Sequence, residues 1–535
     1  MSPLPTALLL ILVPIMARPM ASEKTKMKCA VKLPANSSAH AGGAIGGTKH
    51  LRALGPPLVP FAYNCAARVA ATVLAEPAGP GGGGGASTYV LVVVGDSLLV
   101  LRAPSDSELS GGAEPQALEQ VKLVRFAKAR TTAVAVEPVG ADGTDDADVL
   151  VGLSTGAVML LGLRTQLQHC DDDAAHAAKP FFAAALSSFA ARSAVTSVAW
   201  CPRGKPALVS AASTAASGTA SDGSSSPEAT ARLFVSAHAD GSLHVVDAIR
   251  DGANTDPLYD PLTDGERVVS RTARPPPSSA NGPSLFTMRV VQGRGGVACA
   301  YRYRWRVCDV AVRHVCLSPD GSRLAAACDD GVLRIFDFTD ARYIGGCRGY
   351  HGAVLCCSFD RTGEIVALGC EDDGVYLYSI AARAVVAAAT GVHRAWVSAV
   401  AFEDCLDEDD GNDAIRFASV AQDGSLAVWE HMPTASSPPL DNVSSDRGAR
   451  APFHPYPSYG SLSASYAEET LVCRTSSLLD APPLRLISGI TTPGTCATGP
   501  KRVGLRVHSE PLSDVAFYGG AMVTADVTGC VKLWR

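Results

Sequence analysis

The chain has 535 residues and a formal net charge of -6 at pH 7, so it lacks the positive field that draws a protein onto nucleic acid or an acidic membrane. Apolar residues make up 47% of the sequence, which is ample material for a buried core. No segment supplies the ~20 uninterrupted apolar residues of a membrane-spanning helix. The composition therefore predicts a protein with no nucleic-acid and no membrane partner.

Residues 1–54 are predicted to be a targeting-like or disordered segment. Residues 5–17 (PTALLLILVPIMA) resemble the apolar core of a signal peptide, but no basic residue precedes the core and Pro14 interrupts it. Met20 and Met27 are alternative starts that would remove this core. The 16 Cys form no paired CxxC motifs, and most lie in predicted strands, which favours a reducing compartment. We expect a cytoplasmic or nuclear protein, with secretion as the alternative.

Short apolar runs separated by turn signals fill residues 55–535 in seven units. The units begin near residues 58, 121, 195, 310, 351, 393 and 508. Low-complexity insertions interrupt them near residues 205–231, 248–283 and 431–500, where the composition cannot bury enough apolar surface to fold alone. The last unit stops at its third strand, so a strand at residues 58–63 is expected to complete it and close a ring.

The clearest repeat lies within residues 308–430. One pattern recurs there three times. It consists of an apolar run, a Gly turn, a second apolar run, an acidic-Gly turn and a third apolar run that ends in an aromatic residue. The copies read HVCLSPDGSRLAAACDDGVLRIFDF, HGAVLCCSFDRTGEIVALGCEDDGVYLYSI, and HRAWVSAVAF with IRFASVAQDGSLAVWE. Their spacing is near the ~40 to 45 residues of a propeller blade. The predicted fold class is all-β, a seven-bladed β-propeller with long disordered loop insertions.

Blade ends at residues 335–337 (IFD), 428–430 (VWE) and 533–535 (LWR) resemble the WD-repeat family. The repeats above and the terminal HSEPLSDVAFYGGAMVTADVTGCVKLW are similar to one subfamily, that of the fungal catabolite-repression protein CreC and the animal WD repeat protein twenty, with the dystrophia-myotonica WD-containing proteins. The likeness spans most of residues 148–535. It implies a non-catalytic scaffold, without a cofactor, that binds and stimulates a ubiquitin-specific protease, sometimes together with a second WD-repeat protein. The alternative is a generic WD-repeat adaptor, such as a ubiquitin-ligase substrate receptor or a trafficking scaffold.

Histidine and aspartate residues recur at the turns of these units. In WD repeats a His before the first strand commonly hydrogen-bonds an Asp in the turn between the second and third strands. The resemblance implies such roles for His351 with Asp373, His393 with Asp423, His508 with Asp526, and Asp330. A catalytic or metal site would need several such groups in one cleft, whereas one pair per unit spreads them around a ring. We therefore predict structural hydrogen bonds, with no catalytic residue and no metal site.

Trp396 stands just before the first strand of a unit, where loops reach one rim of a propeller. An exposed Trp at this place would be an interface anchor, and packing between blades is the alternative. The resemblance implies that aromatic residues on these entry loops contact the protease, although His351 stands where a Phe is usual. The predicted partner-binding residues are Trp396, His351 and Arg394.

Three further strings allow a second interpretation. Residues 95–98 (GDSL) match the GDSL hydrolases, but an apolar strand follows and the downstream Asp-x-x-His at 173–176 lies in an acidic, Ala-rich stretch, so a hairpin turn is predicted. Residues 301–306 (YRYRWR) alternate strictly, which favours an outer blade strand over a single-strand nucleic-acid site. Residues 403–413 lack the terminal Glu of a calcium loop and are predicted to be a solvated acidic loop.

Overall fold

The structure, a computed structural model, contains seven sheets of four or five strands. It describes residues 66–75, 86–103, 118–126, 129–137, 147–168, 193–202, 232–248, 304–308, 310–339, 343–403, 414–432, 481–487, 504–518 and 521–534, and the backbone of 10–11, 30–31, 178–182, 287–290, 301–303, 342, 472–473, 490–492 and 501–503. The predicted all-β, seven-bladed propeller is confirmed.

The strands are numbered β1 to β34 in chain order, and each blade is given from its inner strand outwards. Blade 1 contains β3 (Arg68–Ala75), β4 (Ala86–Val94), β5 (Ser97–Arg102) and β6 (Glu119–Phe126). Blade 2 contains β7 (Thr131–Val136), β8 (Asp148–Leu153), β9 (Ala157–Gly162) and β10 (Ala178–Phe182), with helix α1 (Leu163–Gln168) before β10. Blade 3 contains β11 (Val195–Trp200), β12 (Leu233–His238), β13 (Ser242–Asp247), β15 (Tyr301–Arg306) and β14 (Thr287–Val290).

The other four blades follow the same plan. Blade 4 contains β16 (Val312–Leu317), β17 (Arg323–Cys328), β18 (Val332–Asp337) and β19 (Arg342–Arg348). Blade 5 contains β20 (Val354–Phe359), β21 (Ile365–Cys370), β22 (Val375–Ser379) and β23 (Ala384–Ala389). Blade 6 contains β24 (Val397–Phe402), β25 (Ile415–Ala421) and β26 (Ser425–His431), with β28 (Arg485–Leu486) and β31 (Leu505–Arg506) on its outer edge. Blade 7 contains β32 (Leu512–Tyr518), β33 (Ala521–Asp526), β34 (Val531–Trp534) and β1 (Leu10–Ile11).

Four short strands lie outside this plan. They are β2 (Ala30–Val31) beside β6, β27 (Val472–Cys473) beside β19, and the pair β29 (Ile490–Thr492) and β30 (Lys501–Val503). The outer edge of blade 7 pairs with β1, whose Leu10 and Ile11 lie opposite Trp534 and Leu533. The closing strand predicted at residues 58–63 lies outside the described residues.

One predicted unit start, near residue 121, falls inside a blade. Strand β6 (Glu119–Phe126) pairs with β5 along its length and forms the outer strand of blade 1. Blade 2 begins only at β7, where the Thr131 N–H donates to the Gly95 carbonyl of blade 1 at 2.8 Å. The sequence did not predict that β6 pairs with β5, because 16 residues separate the two strands and hydrophobic spacing alone does not show which sheet a strand joins.

The middle strands of the blades are buried on both faces. Strands β8, β12, β21 and β33 are buried at every position. Since side chains alternate between the two faces of a strand, each blade must be covered by a neighbour on either side. The hydrophobic core is accordingly divided into clusters that lie between adjacent blades, such as the one joining Ile335 of blade 4 to Leu368 of blade 5.

Six inner strands carry a bulge after their first residue, at Thr132, Thr196, Arg313, Leu355, Ser398 and Ser513. A bulge re-aims the extra side chain. At two of these positions the hydroxyl reaches the next blade: Thr196 donates to the Val312 carbonyl, and Ser398 donates to the Leu512 carbonyl at 2.7 Å. These bonds connect inner strands that share no backbone ladder.

The seam between blades 7 and 1 closes the ring with polar groups. The Arg68 guanidinium donates to the Ser513 carbonyl at 2.8 Å, and the Val69 N–H donates to the Asp514 carboxylate at 2.9 Å. Burial raises the pKa of Asp514. Arg68 and the backbone N–H groups of Val69 and Val515, which donate to the carboxylate, oppose that rise. A buried carboxylate needs such partners, so the seam depends on both strands being in place.

The structure also places two of the ambiguous strings. Gly95 and Asp96 form the turn between β4 and β5, and the Ser97 hydroxyl donates to the Asp96 carboxylate at 2.8 Å, which confirms the hairpin. The YRYRWR string is β15, which pairs with the third strand of blade 3 and buries Trp305 while Arg306 is exposed. It is a blade strand as predicted, but β14 rather than β15 forms the outer edge of the blade. Residues 173–176 and 404–413 lie outside the described residues. In the part of the chain described, no helix has the length and apolarity needed to cross a membrane.

Gly424 and Gly391 provide a matched test of contact between blades. Both have positive φ, +76° and +74°, but a Cβ at Gly424 would lie 2.5 Å from the His508 carbonyl oxygen, whereas a Cβ at Gly391 meets nothing within 4 Å. Gly391→Ala should cost roughly 1 kcal/mol from backbone strain alone, and Gly424→Ala at least about 2 kcal/mol more. Urea unfolding of both variants measures this difference. Equal losses of unfolding free energy would show that the close approach of the His508 carbonyl to Gly424 does not restrict this position.

Candidate partner-binding rim

The described loops that lead into inner strands lie on one rim of the ring, which we call the entry rim. An inner strand runs away from this rim, the second strand returns, and the third leaves again. The entry loops and the turns between second and third strands therefore lie side by side. In blade 5 the Glu371 N–H donates to the Ala353 carbonyl, and in blade 6 the Gln422 N–H donates to the Trp396 carbonyl, both at 3.0 Å.

Trp396 lies on the entry rim, in the loop from β23 to β24, and is 37% exposed. Its carbonyl is held by Gln422, so the position of the residue is fixed although its ring reaches solvent. Arg394 in the same loop is exposed, and its N–H donates to the Asp423 carboxylate at 2.8 Å. This exposure favours the interface interpretation of Trp396 over complete packing between blades.

The neighbouring entry loop, from β19 to β20, contributes a second aromatic residue. His351 is exposed there, as a partner-binding residue requires, and its ring lies edge-on to that of Tyr350 with centroids 4.5 Å apart. Tyr350 is 45% exposed. Tyr350 was not among the partner-binding residues predicted from the sequence, although an aromatic residue directly beside His351 is a signal that could have indicated it.

Blade 7 contains a continuous hydrogen-bonded chain of four side chains. The Trp534 indole N–H donates to the Thr524 hydroxyl at 2.9 Å, the hydroxyl donates to His508 Nε2 at 3.0 Å, and His508 Nδ1–H donates to the Asp526 carboxylate at 3.0 Å. All four residues are buried. The pairing of His508 with Asp526 is thus present, even though Asp526 ends β33 and the turn reads Val-Thr-Gly.

Blade 6 has a similar chain with a different end. The Trp429 indole N–H donates to the Ser419 hydroxyl at 2.8 Å, and that hydroxyl is hydrogen-bonded to His393 Nε2 at 2.7 Å. His393 Nδ1 is hydrogen-bonded to the Ser425 hydroxyl at 2.7 Å, so Ser425 takes the place predicted for Asp423. The Asp423 carboxylate instead accepts the N–H groups of Ser425 and Arg394, because those turn donors need an acceptor.

Blades 4 and 5 hold their turns without a histidine. The predicted bond between His351 and Asp373 is replaced in blade 5 by Asp372, which accepts from the Gly374 N–H and the Tyr376 hydroxyl at 2.9 Å each. Asp373 has φ +62° and follows Asp372 in the turn. The physical reason is that Tyr376 on the third strand reaches the turn itself and leaves His351 in solvent.

In blade 4, Asp330 accepts the Val332 N–H at 3.1 Å and both terminal nitrogens of Arg334 at 3.0 and 2.7 Å. Arg334 is almost fully buried, and a two-pronged bond to a carboxylate satisfies two of its donors. Asp330 therefore fixes its turn as the sequence analysis proposed, with an arginine as the partner.

One group in the described residues brings three metal-capable side chains together. The ligand atoms of His508, Asp526 and Cys530 lie within 4.8 Å of one another. One Asp526 oxygen already accepts three hydrogen bonds, from the Thr528 N–H, the Thr528 hydroxyl and the Cys530 N–H. The other oxygen accepts from His508. His508 Nδ1 carries a hydrogen because the Asp526 carboxylate beside it can only accept. These hydrogen bonds form the turn of blade 7, and a metal could bind His508 through Nδ1 only if that hydrogen were lost.

Comparison with known proteins supports a WD-repeat assignment. Residues 303–337, which cover β15 to β18, match the WD40 family (WD domain, G-beta repeat). A curated relative is "UBP9-binding protein bun62" from Schizosaccharomyces pombe (strain 972 / ATCC 24843), 26% identical over 225 residues. The match covers 41% of this chain and 39% of that protein. A chain of "Crystal Structure of Mitotic Checkpoint Complex" aligns over 90% of this chain and 89% of its own length at 12% identity, with a TM-score of 0.46 that supports no structural argument.

Trp429 and Trp305 allow the contribution of the indole N–H to be isolated. Both are at least 96% buried, but Trp429 donates to Ser419 whereas the Trp305 nitrogen has no hydrogen-bond partner within the described part of the chain. Each Trp→Phe change loses similar ring volume. Trp429→Phe should therefore lower the free energy of unfolding by about 1 kcal/mol more than Trp305→Phe. Urea titrations of the two variants give the difference, and equal losses would contradict a stabilising role for the chain in blade 6.

Stability should fall between pH 6.5 and pH 4. Burial lowers the pKa of His393 from 6.5 to about 4, and burial also lowers the pKa values of His238, His244 and His431. In this window the unfolded chain binds a proton at His393 that the folded protein does not, so His393 costs up to about 1.4 kcal/mol per pH unit. The other three histidines act in the same direction. Unfolding free energies at pH 7, 6 and 5 measure the slope. His393→Gln should make it shallower, and an unchanged slope would contradict the assignment.

Proposed function

We propose that this WD-repeat β-propeller is a non-catalytic scaffold that binds a ubiquitin-specific protease and stimulates its activity. The observation that carries the proposal is the similarity over 225 residues to a protein named for binding UBP9. The resemblance of the central blades to the subfamily of CreC and WD repeat protein twenty points to the same partner class. A second WD-repeat protein in the complex is part of this proposal.

The entry rim supplies the contact surface in this proposal. Trp396 and Tyr350 present two exposed aromatic side chains from the entry loops of adjacent blades. Large aromatic side chains bury much area for little entropy and dominate the energy of many interfaces. Because hydrogen bonds to the blades fix the loop backbone at Trp396, little ordering is needed on binding.

Charged groups around the aromatic residues would set the orientation of the partner. The exposed Arg394 lies beside Asp423, and the pKa of Asp373 is raised by partial burial and by the nearby Asp372 and Asp423 carboxylates. A partner that brings a basic group towards Asp373 would relieve this repulsion. Such charges mainly affect the rate and the specificity of association.

The generic adaptor remains the alternative, and the same experiment separates the two. Purify the full chain and measure binding to a panel of ubiquitin-specific proteases, together with their turnover of a fluorogenic ubiquitin substrate. The proposal expects one protease to bind and to turn over substrate faster. Recovery of ubiquitin-ligase subunits by affinity purification, with no protease bound or stimulated, would favour the adaptor.

Trp396→Ala should weaken protease binding about 30-fold or more, equivalent to about 2 kcal/mol, because it removes an aromatic anchor. Titration calorimetry with the purified protease measures the loss, and Tyr350→Ala tests the second aromatic in the same way.

Met432→Ala is the matched control. Met432 is 51% exposed but follows the third strand of blade 6, which ends at the opposite rim. Its truncation should leave affinity unchanged. If Met432→Ala weakened binding and Trp396→Ala did not, the contact surface would lie on the other rim.

A further inference from the structure

The seam between blades 4 and 5 contains two thiols and an imidazole in contact. Cys316 on β16 and Cys357 on β20 have their sulfur atoms 3.5 Å apart, and Cys357 Sγ lies 3.7 Å from His314 Nδ1. Cys357 is fully buried, whereas Cys316 is half-buried. Both thiols are free in the structure. No role in the turns or in the entry rim accounts for this group.

Two of the seams between inner strands are bridged by a hydroxyl at the bulge. The bulge hydroxyls of Thr196 and Ser398 each bond to the inner strand of the next blade. At the corresponding bulge of blade 4 stands Arg313, whose guanidinium pairs with Asp329 of its own blade. The two cysteines therefore lie at a seam where the bulge residue is an arginine rather than a residue with a hydroxyl group.

We propose that Cys316 and Cys357 are a redox modification site, which a peroxide converts into a disulfide that links blades 4 and 5. The substrate class is a small hydroperoxide, because only a compact oxidant can reach a half-buried thiol between two sheets. Forming a disulfide requires the two sulfur atoms to approach from 3.5 Å to ~2.05 Å, a movement of about 1.5 Å. This proposal does not depend on the protease partner.

The chemistry proceeds in two balanced steps. The Cys316 thiol releases its proton to solvent, and the thiolate attacks one peroxide oxygen. The O–O bond breaks, leaving a sulfenic acid at Cys316, and for hydrogen peroxide the departing hydroxide takes up a proton to become water. Cys357 then gives its proton to His314 Nδ1, and its sulfur attacks the sulfenic sulfur. The S–O bond breaks, and the departing hydroxide takes a proton to leave as a second water.

The roles follow from exposure and contact. Burial and the neighbouring Cys316 thiol raise the pKa of Cys357 well above its ordinary value, and His314 opposes that rise. The buried thiol is therefore a poor first target, which leaves the half-buried Cys316 to meet the oxidant. Cys357 is suited to the second step because its attack is intramolecular and a base lies beside it.

The test oxidises the purified, fully reduced chain with hydrogen peroxide and maps tryptic peptides without reduction. Cys316 falls in peptide 314–323 (HVCLSPDGSR), and Cys357 falls in peptide 349–361 (GYHGAVLCCSFDR). The proposal expects these two peptides to be linked. It also expects the oxidised protein to melt roughly 2 to 5 °C higher, since the link closes a loop between residues 41 positions apart.

The adjacent cysteine provides the control. Cys356 shares the second peptide, but its thiol points to the other seam, where it contacts the Gly369 and Val397 carbonyls. Cys356→Ser should keep the link, whereas Cys316→Ser and Cys357→Ser should each abolish it. His314→Gln should reach the same end point several-fold more slowly.

Several outcomes would overturn the proposal. No linked peptide from folded, peroxide-treated protein would do so, as would a link that survives Cys357→Ser, because it would then pass through Cys356. A linked protein that melts lower than the reduced one would show that the bond strains the seam. Tightly bound zinc in the reduced protein, lost on Cys316→Ser, would make the group a metal site instead.

Discussion

The structure depends on one constraint, that each blade must be covered on both faces. A four-stranded sheet with fully buried middle strands, such as β8 or β21, cannot be stable alone, because half of its apolar surface would face water. Seven blades satisfy one another only when the ring is closed. The seam between blades 7 and 1, where Arg68 and Val69 bond to Ser513 and Asp514, is therefore as important as any hydrophobic cluster. It joins strands from opposite ends of the described chain.

The same constraint explains how the entry rim is built. Core packing fixes the strands, and the turns at the rim must then satisfy their backbone donors locally. Each blade solves this differently: blade 7 with His508 and Asp526, blade 6 with His393 and Ser425, blade 5 with Asp372 and Tyr376, and blade 4 with Asp330 and Arg334. These carboxylates and histidines are thus engaged in hydrogen bonds that hold the turns. What remains available for a partner is the set of side chains that the turns do not need, above all Trp396 and Tyr350.

The thiol pair at the seam of blades 4 and 5 fits the same logic. Inner strands of neighbouring blades have no shared ladder, so only side chains connect them. The bulge hydroxyls of Thr196 and Ser398 make such a connection, whereas the Arg313 side chain pairs with Asp329 of its own blade. The half-buried Cys316 and the buried Cys357 meet at that seam as two small apolar side chains that retain the capacity to form a covalent bond.

By itself the sequence determined the repeating strand and turn pattern, the number of blades, the hairpin at Gly95 and Asp96, and the place of Trp396 before an inner strand, because these follow from local alternation and turn chemistry. Tertiary structure decided which sheet Glu119–Phe126 joins, which acceptor each turn uses, and which side chains stay exposed. His351 and Asp373 share the spacing of a bonded pair, yet Tyr376 from the third strand reaches the turn first and bonds Asp372. The sulfur contact between Cys316 and Cys357 likewise joins residues from different blades, and no local pattern encodes a distance across a seam.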